Sequence, residues 1–117
     1  MKYCTRDEIL HAHDYKIKDV KTPEWGGEGA VTGVRTFSAA VRSALISQTG
    51  EDGKMPADWM EQVVAASACD QDGNLIFTKE DVGSLSEKSA IVLERLFRAA
   101  IELNGLAESS VEEIKGE

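Results

Sequence analysis

Between Ser86 and Asn104 the chain repeats apolar residues at spacings of three and four: Ala90, Leu93, Leu96, Phe97, Ala100 and Ile101, with Val92 and Leu103 widening the stripe. That period predicts one helix from Glu87 to about Asn104, capped by Ser86, with one face that must be buried. Arg95 and Arg98 fall outside the centre of the stripe, so the helix is amphipathic rather than wholly internal. Asn104-Gly105-Leu106 predicts its stop, because glycine can take the left-handed conformation and Leu106 can pack back on the last turn. Any fold for this chain has to bring partners to that stripe, and 117 residues give room for one domain in which to do so.

The partners are legible upstream. Ser38 is a good N-cap for a helix from Ala39 to about Gln48, with Val41, Leu45 and Ala44 turned inward. Pro56 suits the first turn of a following helix, whose Trp59, Met60, Val63, Val64 and Ala68 share one face. That helix includes Cys69 on its apolar face and stops at Asp70-Gln71-Asp72-Gly73-Asn74. Leu75-Ile76-Phe77 reads as an extended plug or edge strand, and Thr78 starts a one-turn helix ending near Gly83-Ser84, with Val82 and Leu85 as anchors. Near the start, Thr5-Arg6-Asp7-Glu8 is a capping box for a short helix burying Ile9, Leu10 and Ala12. Tyr15, Ile17 and Val20, interleaved with lysines, predict an exposed strand, and Ala30–Phe37 a second strand returning antiparallel to it. The loop at 23–29 joins them, and Gly33 within the return strand marks a bulge or a close backbone approach. The fold class is therefore α+β: an N-terminal antiparallel β-hairpin with a bundle of about four α-helices. It forms a single domain over 1–117, with the hairpin at about 15–37, the helical part at about 38–106 and an acidic tail at 107–117, in which Ser110-x-x-Glu113 offers a last capping box.

Charge narrows the function. There are 21 Asp and Glu against 13 Lys and Arg, a formal net charge of −8. Such a surface repels phosphate backbones and anionic lipid, so neither nucleic acid nor membrane is expected as a partner. No apolar run reaches the length of a membrane span and no signal-peptide pattern opens the chain. Two distant cysteines, Cys4 and Cys69, imply no disulfide framework and point to a reducing cytoplasm.

Motifs for chemistry fail on inspection. With Gly73 at the sixth position of a calcium loop, Ala68 takes the first and Lys79 the twelfth, so both end ligands are missing. His11 and His13 are two apart and diverge on a helix, the wrong spacing for a zinc pair. No Gly-x-Ser-x-Gly, phosphate-binding glycine loop or Cys/His pair is present. No catalytic, cofactor-binding or metal-binding residue is expected, and the chain is read as a non-enzyme without cofactors. Trp25 stands out instead, because an aromatic side chain in a loop is either a local packing plug or a partner anchor.

Pro23-Glu24-Trp25-Gly26-Gly27 after a short strand, Asp70–Phe77 running on to Asp81-Val82, the long helix to Asn104-Gly105-Leu106 and the acidic tail follow one another in an order that resembles the tail assembly chaperones of long-tailed, non-contractile bacteriophages and related prophages. The resemblance spans nearly the whole chain and is densest at 15–37 and 69–113. It implies a protein of the host cell cytoplasm that coats the long, aggregation-prone tape measure protein, keeps it soluble and helps bring tail-tube subunits to it. The tail-tube contact runs through a longer frameshift product, of which this chain looks like the shorter form. A coat along a filament also implies a homo-oligomer. The corresponding partner-binding residues are Trp25 and, on an apolar strip of the long helix, Leu93, Phe97 and Ile101, or alternatively a strip on the 59–68 helix. The competing reading is a structural tail-completion or minor tail protein retained in the virion.

Overall fold

The structure, a computed structural model, describes residues 1–106; the acidic tail at 107–117, with its Ser110-x-x-Glu113 box, lies outside the described residues. In chain order the elements are α1 (Arg6–His11), β1 (Ile17–Lys21), α2 (Pro23–Gly26), β2 (Val31–Arg35), α3 (Ala39–Ile46), α4 (Trp59–Ser67), β3 (Ala68–Cys69), a 3-10 turn (Lys79–Asp81), α5 (Val82–Leu85) and α6 (Ala90–Leu103). The α+β class and the N-terminal hairpin hold.

The hairpin pairs antiparallel from Ile17 opposite Arg35 to Lys21 opposite Val31. Its loop is not bare turn: Pro23 starts the short helix α2, where its missing N–H costs nothing. A third strand goes beyond the sequence reading. α4 ends at Ser67, and Ala68 and Cys69 turn extended to pair with Val34 and Gly33. Cys69 is therefore a strand residue rather than part of a helix face. The sheet order is β1-β2-β3, which leaves β1 on an open edge. Lys16, Lys18 and Lys21 mark that edge with charge. Gly33 makes a close approach rather than a bulge: a Cβ there would lie 2.8 Å from the Cys69 carbonyl oxygen and 3.0 Å from its Sγ.

The core lies between this sheet and the helices. Val34 from β2, Val63 and Val64 from α4, and Leu93, Leu96 and Ala100 from α6 are all but sealed from solvent. Trp59 opens α4 and sets its ring edge-on to Phe97 of α6, with centroids 5.8 Å apart. α4 starts at Trp59 rather than at Pro56, which instead closes a turn by accepting from the Trp59 N–H. α6 likewise starts at Ala90, after Ser89, because the preceding residues continue the α5 turn: Ser86, Glu87 and Lys88 donate back to Val82, Ser84 and Leu85. The Ser86 hydroxyl is then free to donate to Glu61 rather than cap α6.

The end of α6 follows expectation closely. Gly105 sits at φ 71°, Leu106 donates to the Ile101 carbonyl at 2.8 Å, and Gly105 donates to Glu102 at 3.2 Å. This is the doubly bonded C-terminal motif with its apolar contact, since Leu106 is buried. Asn104 then stitches the end to α3: its Oδ1 accepts from the Phe37 N–H, and its carbonyl accepts from Arg42.

α1 also departs from its expectation. α1 forms with the complete Thr5/Glu8 capping box, yet it buries none of its residues. Ile9 and Leu10 stay 60 % and 62 % exposed.

Candidate partner-binding groove

The four residues put forward from the sequence do not share a surface. Leu93 and Ile101 are core residues, 2 % and 4 % exposed, and Phe97 is half-buried against Trp59. The strip they form is spent on the sheet and on α4, as a small domain's main helix must be to give it a core. Trp25 is also half-buried against the core, on α2, and that helix is pinned to α6 by the Arg95–Glu24 ion pair. Arg95 donates to both carboxylate oxygens of Glu24 and to the Lys21 carbonyl. Trp25 is thus held as a packing residue at the hairpin end.

An apolar groove lies between α3 and α4. α3 presents Ala40, Val41 and Ala44 at helical spacing, and α4 presents Ala65 and Ala66 opposite them. Leu75, Phe77 and Val82 also line the groove, whose volume is about 610 Å³. Alanines share the helix sides of the groove with Val41 and Leu45, and Gln48, Asp58, Gln62, Thr78 and Lys79 add polar groups to its lining. A lining of small and larger apolar residues suits the entry of one amphipathic helix. At one end the groove is fixed by a chain of amides: Gln48 donates to Gln62, and Gln62 donates to Asp58 at 2.8 Å. Trp59 supports the α3 wall from behind, its indole N–H donating to the Leu45 carbonyl at 2.9 Å.

Sequence reasoning missed this site because it sought large apolar residues. The available signal was the pair Ala40 and Ala44, four apart with Gln48 four further on, a face too small-sided to be a core face. The alternative strip on the 59–68 helix came nearer, since Ala65 and Ala66 belong to α4.

The residues considered for metals lie elsewhere. Asp70 is consumed by its own turn: its Oδ1 accepts from the backbone of Asp72 and Asn74, and hydrogen bonding from Asn74 above all holds the carboxyl below its ordinary range. His11 is exposed on α1, where its Nδ1 lies 2.9 Å from the Asp7 carbonyl. Among the described residues no group of three His, Cys, Asp or Glu side chains stands in position to hold a metal. No helix among them is long and apolar enough to cross a membrane.

No family model matches the chain, and no curated protein matches it. Among solved structures, the tail assembly chaperone of bacteriophage HK97 superposes on it with a TM-score of 0.63, covering 87 % of this chain and 95 % of the chaperone, at 20 % sequence identity. The chain has the fold of a phage tail assembly chaperone. The likeness extends over almost all of that chaperone rather than over one motif of it, and at this identity it is a likeness of fold.

Proposed function

We propose that the chain is itself a tail assembly chaperone, acting without chemistry in the host cytoplasm. It binds the tape measure protein, keeps that long helical chain soluble, and helps recruit tail-tube subunits while the phage tail is built. The observation that carries this reading is the fold shared with the HK97 chaperone across 95 % of the latter's length. The apolar groove supports it. A long helical protein with an unsatisfied apolar stripe self-associates, and covering the stripe segment by segment in grooves of this kind suppresses that. Each bound copy also brings a net charge of −8, so coated segments repel one another. We place the contact on the groove; Phe97 acts behind it through Trp59, and Leu93, Ile101 and Trp25 through the core.

Co-expression with the tape measure protein of the same phage tests this. The tape measure should become soluble and co-purify with the chain, and Ala40→Glu or Ala66→Glu should abolish both while leaving the circular dichroism spectrum unchanged. A tape measure protein equally soluble with and without the chain would overturn the proposal.

A further inference from the structure

β1 is the outer strand of the sheet, and its backbone groups face alternately toward β2 and away from it. Thr36 donates to the Lys16 carbonyl and Thr22 to the Ala30 carbonyl, both at 3.0 Å. By that alternation Lys16, Lys18, Val20 and Thr22 face β2, while Ile17, Asp19 and Lys21 turn their N–H and C=O outward. Arg95 takes the Lys21 carbonyl. Among the described residues no other main-chain group bonds the outward N–H and C=O of Ile17 and Asp19. Lys16, Lys18 and Lys21 are exposed along this edge, and among the described residues none of their side chains is in an ion pair. Three lysines thus stand with Asp19 as the one acid between them, in a chain whose net charge is −8.

We propose that residues 107–117 of the same chain lie extended along this edge as an acidic strap. Glu108, Glu112 and Glu113 then meet the three lysines, and main-chain groups of the strap bond Ile17 and Asp19. Charge is one argument: residues 107–117 hold four Glu and one Lys, whereas residues 16–21 hold three Lys and one Asp. The tether is the other. The chain leaves α6 beside the start of β1, because the Asn104 Oδ1 accepts from the Phe37 N–H at 2.7 Å and the preceding Thr36 bonds Lys16. From Ile17 to Lys21 the edge is about 17 Å long. Eleven extended residues span about 36 Å, so the strap covers the edge with length to spare. A helix after Ser110 competes poorly, since it has only five residues before Gly116. An added strand gains main-chain hydrogen bonds whatever its sequence, and the lysines select an acidic one. The ion pairs are exposed, so the strap is held weakly and salt loosens it.

Such a strap guards the one strand edge that an extended acidic segment of another protein could join. It does not rest on the chaperone function or on the groove between α3 and α4.

Amide hydrogen exchange read by NMR on the full chain tests this. Ile17 and Asp19 should exchange at least tenfold more slowly in the wild type than in a full-length tail variant carrying Glu108→Lys, Glu112→Lys and Glu113→Lys, with unchanged circular dichroism. Salt at about 1 M should shrink that difference. Adding Lys16→Glu and Lys18→Glu to the tail variant reverses both charges and should restore the protection. A nitroxide on Ile114→Cys, in a Cys4→Ser background, should broaden the amides of Lys16 and Lys18 in its own molecule. In a mixture where only the copies without nitroxide carry the NMR isotope, no broadening should appear. Ile17 and Asp19 amides that exchange as freely in the wild type as in the tail variant would overturn the proposal. So would protection that charge reversal fails to restore, or broadening in the mixture, which would assign the edge to a second copy.

Discussion

Arg95 grips Glu24 with both ends of its guanidinium, at 2.9 and 2.8 Å, across 71 positions of sequence. The pair joins the longest helix to the helical turn inside the hairpin and is the link between the two halves of the fold that depends most on pH. Hydrogen bonding from Arg95, helped by the Glu24 backbone, lowers the Glu24 carboxyl from 4.5 to about 2. Because the folded value lies below the unfolded one, the pair favours the native state above pH 4.5, and its contribution drains away as pH falls toward 2. Carbon-detected NMR titration of Glu24 should find a midpoint near 2, and Arg95→Met should return it to the ordinary carboxylate range. The side chains are 34 % and 43 % exposed, so the gain in stability is modest and salt should erode it. A Glu24 midpoint that ignores Arg95→Met would show that the two groups do not meet in solution.

Trp59 does two jobs with one ring. Trp59→Phe keeps the packing against Phe97 but removes the donor to Leu45, leaving a carbonyl unpaired in a buried setting at a cost of about 1–3 kcal/mol. Trp59→Ala also opens a cavity and should cost about 3–5 kcal/mol. Urea unfolding of the two variants measures both, and the gap between them separates hydrogen bond from packing.

Gly33 is required by proximity alone, since its φ is not among the positive ones. Gly33→Ala should destabilise by about 1–3 kcal/mol, because the new methyl meets a backbone oxygen that cannot rotate away. Adding Cys69→Ala removes the sulfur but not the carbonyl, so it should restore only part of the loss in urea midpoint. Full rescue would mean that the sulfur was the obstacle.

The three main helices were legible because their apolar residues keep one period and their caps are explicit. Ser38 accepts from Val41 as its position demands, and the stop at Gly105-Leu106 closes as read. What escaped was decided by tertiary contact. Ala68 and Cys69 continue the apolar pattern of α4, and nothing local tells them to turn extended; the cue is the missing side chain at Gly33, thirty-five residues upstream, which lets a third strand come close. Ile9 and Leu10 follow a capping box that predicts their helix, but a cap cannot say whether the fold will bring a surface to cover them. The groove was hidden for a related reason: alanines on α3 and α4 look like filler in a list of residues and become a surface only when two helices stand apart with Leu75 and Phe77 between them.

The lysines along β1 have a further consequence. An unprotected outer strand would let copies zip together through their backbones, indefinitely and irreversibly. With cations stationed there, that route to growth is closed, and whatever company the molecule keeps must be made through side chains, at contacts that form and let go.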